Sequence, residues 1–341
     1  MLISDERSII GITMGDPAGI GPEIILLSLC KPSIYKVCRP LVIGDVNILN
    51  AAKKGVGSHL HIKPLENPEE GMYKLGSIDV LNLSDITPDP SLWGHPTVET
   101  GRAMVNYIES ASDLAAQGRI SAMVTCPINK MAMQIAGCRY YGHTELLAER
   151  TKTDTFSMML AGDKLRVVLV TIHVALKKVP SLLSTPKVLQ TIKLTWQSLT
   201  DRFGLKTPRI AVAALNPHAG ESGMFGDEET NIILPAIHDA EDEGIDVKGP
   251  LPPDTVFYQA ASGYYDAVVS MYHDQGLIPF KILHFHDGVN VTLGLPIIRT
   301  SVDHGTAYDI AGTGSADPGS LIAAIIMAAQ QAVYNKQKYR N

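Results

Sequence analysis

Three histidines close three apolar, strand-like runs of this chain and are its most chemically suggestive residues. The run "LRVVLVTIH" ends at His173, "RIAVAALNPH" at His218 and "YDAVVSMYH" at His273. Separations of 45 and 55 residues exclude a local zinc motif such as H-E-x-x-H. Equivalent ends of neighbouring parallel strands nevertheless lie close together, and open α/β sheets bind ligands beyond the carboxyl ends of their strands.

Two interpretations of these histidines compete. Each could separately cap backbone groups at a strand end, which is the ordinary role of a single histidine there. Histidine is also the commonest metal ligand, and three neutral imidazoles suit a divalent transition metal. Because all three occupy the same topological position, the sequence favours a metal site formed by His173, His218 and His273.

Candidate acid–base groups lie near these segments. Asp274 directly follows His273 and could orient its imidazole or exchange a proton with a substrate. Asp254, in "PPDTVF", is a second candidate base, although a helix N-cap explains it nearly as well. His143 is a third candidate.

A further group of residues favours an anion. The segment "GHTELLAER" predicts a helix with Thr144 as its N-cap; free N–H groups and the positive end of the helix dipole suit a phosphate there, and His143 adds a donor. Lys281 and Arg299 would supply positive charge for a phosphate or carboxylate. Asn290 lies in the same segment as Arg299, "GVNVTLGLPIIRT".

Two glycine-rich segments bear on nucleotide binding. "GDPAGIGPE" follows the first predicted strand but matches neither the dinucleotide fingerprint nor the P-loop, so a tight strand–helix turn explains it as well as ligand contact does. "DHGTAYDIAGTGSADP" (303–318) predicts a long loop of small residues. Such a loop either lies on the surface or wraps a nucleotide.

The elements that must position these residues alternate between strand and helix. Apolar runs without polar alternation predict strands covered on both faces, separated by helical patterns such as 22–30, 98–118 and 229–244. This alternation predicts a doubly wound, mainly parallel α/β fold, with the chain breaking at Gly276 and Pro279 after the last histidine. A length of 341 residues suggests two domains or one large α/β unit. We predict two domains, with approximate boundaries 1–127 plus 292–341, and 128–291.

Composition narrows the class of protein. A net charge of -6 argues against a nucleic-acid partner, because phosphate backbones select basic surfaces. The four cysteines form no C-x-x-C pair. No run of about 20 apolar residues predicts a membrane span, and the N-terminus lacks a secretory pattern, so we expect a cytoplasmic protein.

Six motifs, in order, resemble the 4-hydroxythreonine-4-phosphate dehydrogenase family of vitamin B6 biosynthesis: "GDPAGIGPE", "GHTE", "LNPHAGE", "MYHDQG", "GVNVTLGLPIIRTSVDHGTA" and "GTGSADPGS". The resemblance covers the chain from about residue 9 to about residue 330. The loop "HGTAYDIAGTGSADP" is also similar to the adenine-side NAD loop of isopropylmalate dehydrogenase. The resemblance implies an isopropylmalate-dehydrogenase-like fold: two doubly wound α/β/α domains with a cleft between them.

The resemblance also implies roles, residue by residue. It makes the three histidines the metal ligands and assigns substrate binding to His143, Thr144, Lys281, Asn290 and Arg299. The similarity of the last loop to an NAD loop implies that the dinucleotide contacts Gly305, Asp309 and Gly312. Asp254 and Asp274 are the candidate catalytic residues because each is an aspartate near a likely cleft. The family uses NAD or NADP with zinc, magnesium or cobalt, and its active site lies at the interface of a homodimer.

The activity implied is the metal-dependent oxidation of 4-phosphooxy-L-threonine to a β-keto acid. That product decarboxylates to 3-amino-2-oxopropyl phosphate on the route to pyridoxal 5'-phosphate. Sister enzymes that resemble this family oxidise 4-phospho-D-threonate or 4-phospho-D-erythronate in sugar-acid catabolism. "GMFGDEE" and "IHVALKK" are somewhat similar to that branch, which is therefore the alternative function. A non-catalytic metal or nucleotide sensor is a rival from another class.

Overall fold

The computed structural model describes residues 6–338 as alternating strands and helices. The strands are β1 Ser8–Thr13, β2 Cys38–Gly44, β3 His61–Leu65, β4 Ser77–Asn82, β5 Ala122–Thr125, β6 Ser157–Ala161, β7 Arg166–Leu169, β8 Ile210–Ala213, β9 Val247–Leu251, β10 Ala267–Ser270, β11 Val289–Leu293 and β12 Arg299–Val302. The helices are α1 Gly21–Leu29, α2 Pro32–Val37, α3 Val46–Val56, α4 Val98–Ala116, α5 Lys130–Ile135, α6 His143–Arg150, α7 Val179–Leu182, α8 Thr185–Asp201, α9 Leu234–Asp242, α10 Pro253–Ala261, α11 His273–Leu283 and α12 Gly319–Lys338. Strand and helix alternate as predicted, which confirms the α/β fold class.

The chain divides into two compact units. Unit 1 contains the described residues up to Asp154 and Leu295–Lys336, and unit 2 contains Thr155–Gly294. These boundaries lie later than the predicted 127/128 and 291/292, so residues 128–154 belong to unit 1. The sequence offered no signal there, because β5 is followed by short helices without a linker composition.

Unit 1 is built on a parallel sheet in the order β3-β4-β2-β1-β5-β12. Every residue of β1 and β5 is buried, as expected for strands covered on both faces. The long helix α4 and the apolar α12 contribute the covering layers. The predicted loop 303–318 is observed as a loop that precedes α12.

Unit 2 is built on a mixed sheet in the order β11-β6-β7-β10-β8-β9. β6 runs antiparallel to both of its neighbours, whereas β7, β10, β8 and β9 are parallel to one another. The register pairs Val268 of β10 with Val167 of β7 and with Ala211 of β8. The three strands that precede the predicted histidines are therefore adjacent, with β10 in the centre.

The prediction that these strands end on histidine is wrong in detail. β7, β8 and β10 end four, five and three residues before His173, His218 and His273. The predicted break at Gly276 and Pro279 is also wrong, because both lie inside α11. Gly276 is required there for a different reason: a Cβ would lie 2.3 Å from Val167 Cγ1, so its absence lets α11 pack directly on β7.

No helix within residues 6–338 combines the length and the apolar composition needed to cross a lipid bilayer.

Candidate active site

Two of the predicted metal ligands lie side by side in unit 2. The ring centroids of His173 and His273 are 5.7 Å apart, and their planes are tilted by 41°. The adjacency of β7 and β10 explains this pairing, because both segments leave the same edge of the sheet. A pocket of about 420 Å³ adjoins the pair and is lined by Ile172, His173, Val174, Leu176, Val179, Tyr272, His273 and Asp274.

Carboxylates orient two of the three imidazoles. Nδ1 of His273 is 2.7 Å from Asp274 Oδ1, and Nδ1 of His218 is 3.2 Å from Glu221 Oε2. A carboxylate on Nδ1 fixes the ring and leaves Nε2 available, which is the usual arrangement around a metal-ligating histidine. For Asp274, left open between orientation and proton transfer, this contact supports orientation.

His218 lies on an unusual segment beyond β8. Five consecutive residues, His218–Ser222, have φ angles between 44° and 80°, and only Gly220 among them is a glycine. A left-handed conformation costs roughly 1–2 kcal/mol for each L-residue, so the segment needs external support.

Glu229 supplies that support. Its side chain is 4% exposed, and its Oε1 accepts hydrogen bonds from the N–H groups of Leu215 (2.8 Å) and Asn216 (2.7 Å). Asn216 Nδ2 also donates to Glu229 Oε2 at 3.0 Å. Glu229 begins a short π-helix that leads into α9, a feature often found at functional sites. Sequence reasoning assigned Glu229 only to a helix.

Hydrogen bonds also connect the segments that carry the histidines. Thr171 Oγ1 donates to the carbonyl of Met271 at 2.7 Å, which joins the segment of His173 to that of His273. The buried Gln275 accepts from the Met271 N–H at 2.7 Å and donates to the Ala214 carbonyl at 2.6 Å. Gln275 therefore connects the ends of β10 and β8. The sequence contains these residues in "MYHDQG" and "VTIH" but gives no sign of their backbone partners.

The potential ligand atoms of His173, His218 and His273 do not all lie within 4.8 Å of one another, so the predicted trio is only partly assembled in the described part of the chain. Within residues 6–338, the only trio whose potential ligand atoms all lie within 4.8 Å of one another is Asp163, His284 and Asp287. His284 is 1% exposed, its Nδ1 is 3.1 Å from Asp287 Oδ1, and its Nε2 accepts the Lys164 N–H at 3.3 Å. Because both ring nitrogens already have partners, this trio is a structural contact between the β6–β7 turn and the end of α11.

In unit 1, three of the predicted anion-binding residues, His143, Thr144 and Arg299, lie near one another at the start of α6. His143 is the first helical residue and Gly142 is the N-cap, so the prediction of Thr144 as N-cap is wrong. Thr144 lies in the first turn, half-buried, and no side chain caps the free N–H groups. Gly142 adopts an extended conformation, which places the N-cap two residues earlier than the predicted Thr144.

His143 and Arg299 are both buried at this site. Burial lowers the pKa of the His143 imidazole well below its usual value, and the charges of Arg299 and Lys130 lower it further, so the ring is neutral at pH 7. His143 Nε2 is buried without a hydrogen-bond partner. Arg299 donates to Thr125 Oγ1 at 2.9 Å; burial lowers its pKa to about 10, which leaves it cationic. A neutral donor beside a buried cation suits an anion.

The remaining predicted substrate residues lie in unit 2. Lys281 is on α11, two turns after His273, with its Nζ 5.6 Å from the centre of the Phe285 ring. Asn290 is on β11, where its Nδ2 donates to Met158 Sδ at 3.4 Å and its Oδ1 is buried without a partner. Asp254 is exposed in the first turn of α10, and Pro252 rather than Asp254 occupies the N-cap position.

The predicted cofactor residues lie on the loop 303–318 of unit 1. Gly305 and Asp309 are exposed, and Gly312 borders a pocket of about 520 Å³ together with Lys54 and Trp93. The loop is tied to the turn after β1 by the Ile20 N–H, which donates to the Thr306 carbonyl at 3.1 Å.

A buried acid anchors the same loop. The hydroxyl of Tyr308 donates a short hydrogen bond to Asp16, which is 0% exposed and also accepts the Ala18 N–H at 2.9 Å. Burial raises the pKa of Asp16, and these hydrogen bonds oppose the shift. The "GDPAG" turn therefore has a structural role in holding the loop, in keeping with one of its two interpretations.

Comparison with known proteins identifies the family. The family model of the pyridoxal phosphate biosynthetic protein PdxA matches residues 36–328. The chain belongs to the PdxA family. It is 57% identical, over 97% of both chains, to the 4-hydroxythreonine-4-phosphate dehydrogenase of Desulforapulum autotrophicum. It is 47% identical, over 97% of this chain and 99% of the relative, to the D-threonate 4-phosphate dehydrogenase of Cupriavidus necator.

Solved structures of the PdxA family agree with the fold. The crystal structure of 4-hydroxythreonine-4-phosphate dehydrogenase from Klebsiella pneumoniae matches 96% of this chain and 99% of its own, with a TM-score of 0.89 and 42% identity. The resemblance predicted from the six motifs is thereby confirmed.

Proposed function

We propose that this chain is an NAD(P)-dependent dehydrogenase that oxidises 4-phosphooxy-L-threonine to a β-keto acid. The keto acid loses carbon dioxide to give 3-amino-2-oxopropyl phosphate, in the synthesis of pyridoxal 5'-phosphate. The observation that carries the choice of substrate is the higher identity to relatives named 4-hydroxythreonine-4-phosphate dehydrogenase, 57% and 60%, than to the D-threonate 4-phosphate relative, 47%.

The phosphate of the substrate is assigned to the start of α6. Arg299 is a buried cation, His143 has an unpartnered Nε2, and the first turn offers N–H groups with no side-chain cap. A phosphate monoester would accept hydrogen bonds from these groups and offset the buried positive charge. Thr144 adds a hydroxyl in the same turn, and Lys281 and Asn290 are proposed to contact the polar groups of the substrate.

Three imidazoles of unit 2 are the donors that we propose for a divalent metal such as zinc, cobalt or magnesium. His173, His218 and His273 would hold it, and the carboxylates of Glu221 and Asp274 keep two of the rings in the tautomer that leaves Nε2 free. The ion would supply stabilisation of negative charge on substrate oxygens, and the nicotinamide of NAD or NADP would supply the hydride acceptor. Three neutral ligands leave the full charge of the ion available for this purpose.

Proton transfer requires a base that is not already committed. Asp274 is hydrogen-bonded to His273, so we assign it the role of orienting that ring. Asp254 is exposed on α10 without a capping hydrogen bond and remains our proposal for the group that receives the hydroxyl proton. We place the dinucleotide against Gly305, Asp309 and Gly312, on the loop that Tyr308 anchors to Asp16.

We further propose a homodimer in the cytoplasm. Ile278 and Ile282 on α11 and Phe285 just beyond its end are apolar and 61%, 78% and 70% exposed. Exposed apolar patches mark interfaces with other chains. Light scattering on the purified protein would show a dimer, and a monomer at micromolar concentration would contradict this part of the proposal.

A product assay tests the reaction. The purified protein with a divalent metal and NAD or NADP should release reduced cofactor and carbon dioxide from 4-phosphooxy-L-threonine, and His218→Ala should abolish both. D-threonate 4-phosphate is the second substrate to assay, because the 47% relative is named for it. Turnover of that compound alone would replace the main proposal. A His218→Ala variant with full metal content and full activity would refute the three-histidine site.

A further inference from the structure

The start of α6 has a second positive group, beside Arg299, that the sequence did not reveal. Lys130 is the first residue of α5, whose N-cap Asn129 accepts the Ala132 N–H at 2.8 Å. A Cβ on Gly142 would lie 3.4 Å from Lys130 Cε, so the lysine stem runs alongside the N-cap of α6. The ammonium is also close enough to His143 to lower the pKa of that imidazole.

The net charge at the start of α6 depends on Lys130. Arg299 is positive, but the nearby Glu145 carboxylate offsets it, and the same carboxylate lies 3.5 Å from the Cβ position of Gly142. The buried His143 is neutral at pH 7. Lys130 is therefore the charge that makes the cluster net positive, whereas a phosphate monoester carries about -1.5 to -2 at this pH.

The Lys130 ammonium is also uncommitted. Within residues 6–338, no carboxylate lies within 4.0 Å of it, unlike Arg139 and Arg150, which pair with Glu149 and Asp113 in the same region. The backbone of the lysine is fixed, because Gly101 lets α4 pack against the Ala132 carbonyl; a Cβ there would lie 2.3 Å from that oxygen.

We infer that Lys130 binds the phosphate group of the substrate, together with Arg299, the unpartnered Nε2 of His143 and the N–H groups of the first turn of α6. The absence of a side chain at Gly142 leaves room for the lysine beside the helix start. Lys130 contributes as a point charge rather than as a bidentate fork, so it strengthens binding of the dianion without fixing its orientation. This inference rests on the proposed phosphate site.

Binding of inorganic phosphate tests the inference without requiring catalysis. Isothermal titration at neutral pH and low ionic strength, on chelator-treated protein without dinucleotide, would compare the parent chain with Lys130→Met and Lys130→Arg. Lys36→Met is the matched control, because Lys36 is exposed on α2 of the same unit. Lys130→Met should weaken phosphate binding about tenfold or more, while Lys130→Arg and Lys36→Met stay within about threefold.

Steady-state kinetics supply the second measurement. Lys130→Met should raise KM for the phosphorylated substrate and leave kcat near the parent value, because the phosphate is remote from the reacting carbon. Arg299→Lys distinguishes the proposed phosphate site itself from the proposed role of Lys130 in it. If it weakens phosphate binding and Lys130→Met does not, Lys130 has no role and the phosphate site stands. If the parent chain binds no phosphate, both the site and the role of Lys130 are wrong.

Discussion

Replacement of Gln275 by methionine should damage the proposed metal site and the stability of unit 2 together. The amide of Gln275 is 7% exposed and makes two hydrogen bonds, from the Met271 N–H at 2.7 Å and to the Ala214 carbonyl at 2.6 Å. Methionine fills a similar volume, so the change removes hydrogen bonds without creating a large cavity. Both backbone partners are then left buried and unpaired.

The magnitude follows from those two partners. An unsatisfied buried donor or acceptor costs about 1–3 kcal/mol, so the free energy of unfolding should fall by roughly 2–6 kcal/mol. Ala214 precedes the segment of His218 by four residues, and Met271 precedes His273 by two. Loosening either segment should weaken metal binding by about ten- to a hundredfold, the usual effect of losing an outer hydrogen bond at a metal site.

Two assays measure these effects. Urea unfolding gives the change in stability, and titration with cobalt(II) gives the affinity together with an absorption spectrum that reports ligand geometry. Gln197→Met on the exposed face of α8 is the control and should change neither. If Gln275→Met loses stability but binds cobalt(II) with unchanged affinity and spectrum, the connection between the histidine segments does not support the site. If the free energy of unfolding is also unchanged, the two hydrogen bonds assigned to Gln275 do not stabilise the protein.

Three further substitutions test other parts of the chain. Glu229→Gln keeps one acceptor oxygen for the two backbone N–H groups but loses the negative charge and turns the oxygen that accepts from Asn216 Nδ2 into a donor. We therefore expect a loss of about 2–3 kcal/mol in urea unfolding and weaker zinc binding by titration calorimetry; unchanged zinc affinity would mean that Glu229 does not support the His218 segment. Tyr308→Phe leaves Asp16 with one donor fewer, which should raise KM for the dinucleotide with little change in kcat; an unchanged KM would refute the role of the 303–318 loop. The depressed pKa of His143 means that the unfolded chain binds an extra proton below pH 6.5, so stability is full above that pH and falls as the pH drops below it. Urea midpoints between pH 5 and 7 should fall less steeply for His143→Gln, and an equal slope would contradict the assignment.

The sequence predicted the fold class and the adjacency of the three strands that precede the histidines, because these depend on local patterns. Apolar runs without alternation identified strands buried on both faces, and three of them proved adjacent in the order β7-β10-β8. The rings of His173 and His273 lie side by side, whereas His218 does not complete the trio, so the three-histidine metal site stays a prediction. The neutral His143 and the cationic Arg299 lie near each other in unit 1, and their role in substrate binding also stays a prediction.

Element boundaries were less predictable because tertiary contacts decided them. Gly276 and Pro279 are normally helix breakers, yet α11 continues through both. Close packing of Gly276 on Val167 favours the helix, and the Pro279 ring removes only the hydrogen bond to the carbonyl four residues earlier. Thr144 is a good N-cap residue, but the extended Gly142 starts α6 before it. Local propensity cannot anticipate either outcome.

The residues that the sequence did not reveal share a physical character: their partners are backbone atoms or neighbouring charges that only the fold brings near. Gln275 donates to a carbonyl 61 residues away, and Glu229 accepts from N–H groups 13 and 14 residues away. Nearly every residue has these backbone groups, so the sequence does not indicate which of them will be the partner. Lys130 is one exposed lysine among several in the sequence, and its position beside Gly142 is visible only in the fold. A histidine can be proposed as a metal ligand from its residue type alone. The role of a glutamine or lysine depends on the groups that surround it in the folded chain. The residues that support the proposed site could therefore be found only in the structure. Substitutions of these three residues best distinguish a metal-dependent, phosphate-binding dehydrogenase from an α/β protein in which the histidines bind no metal.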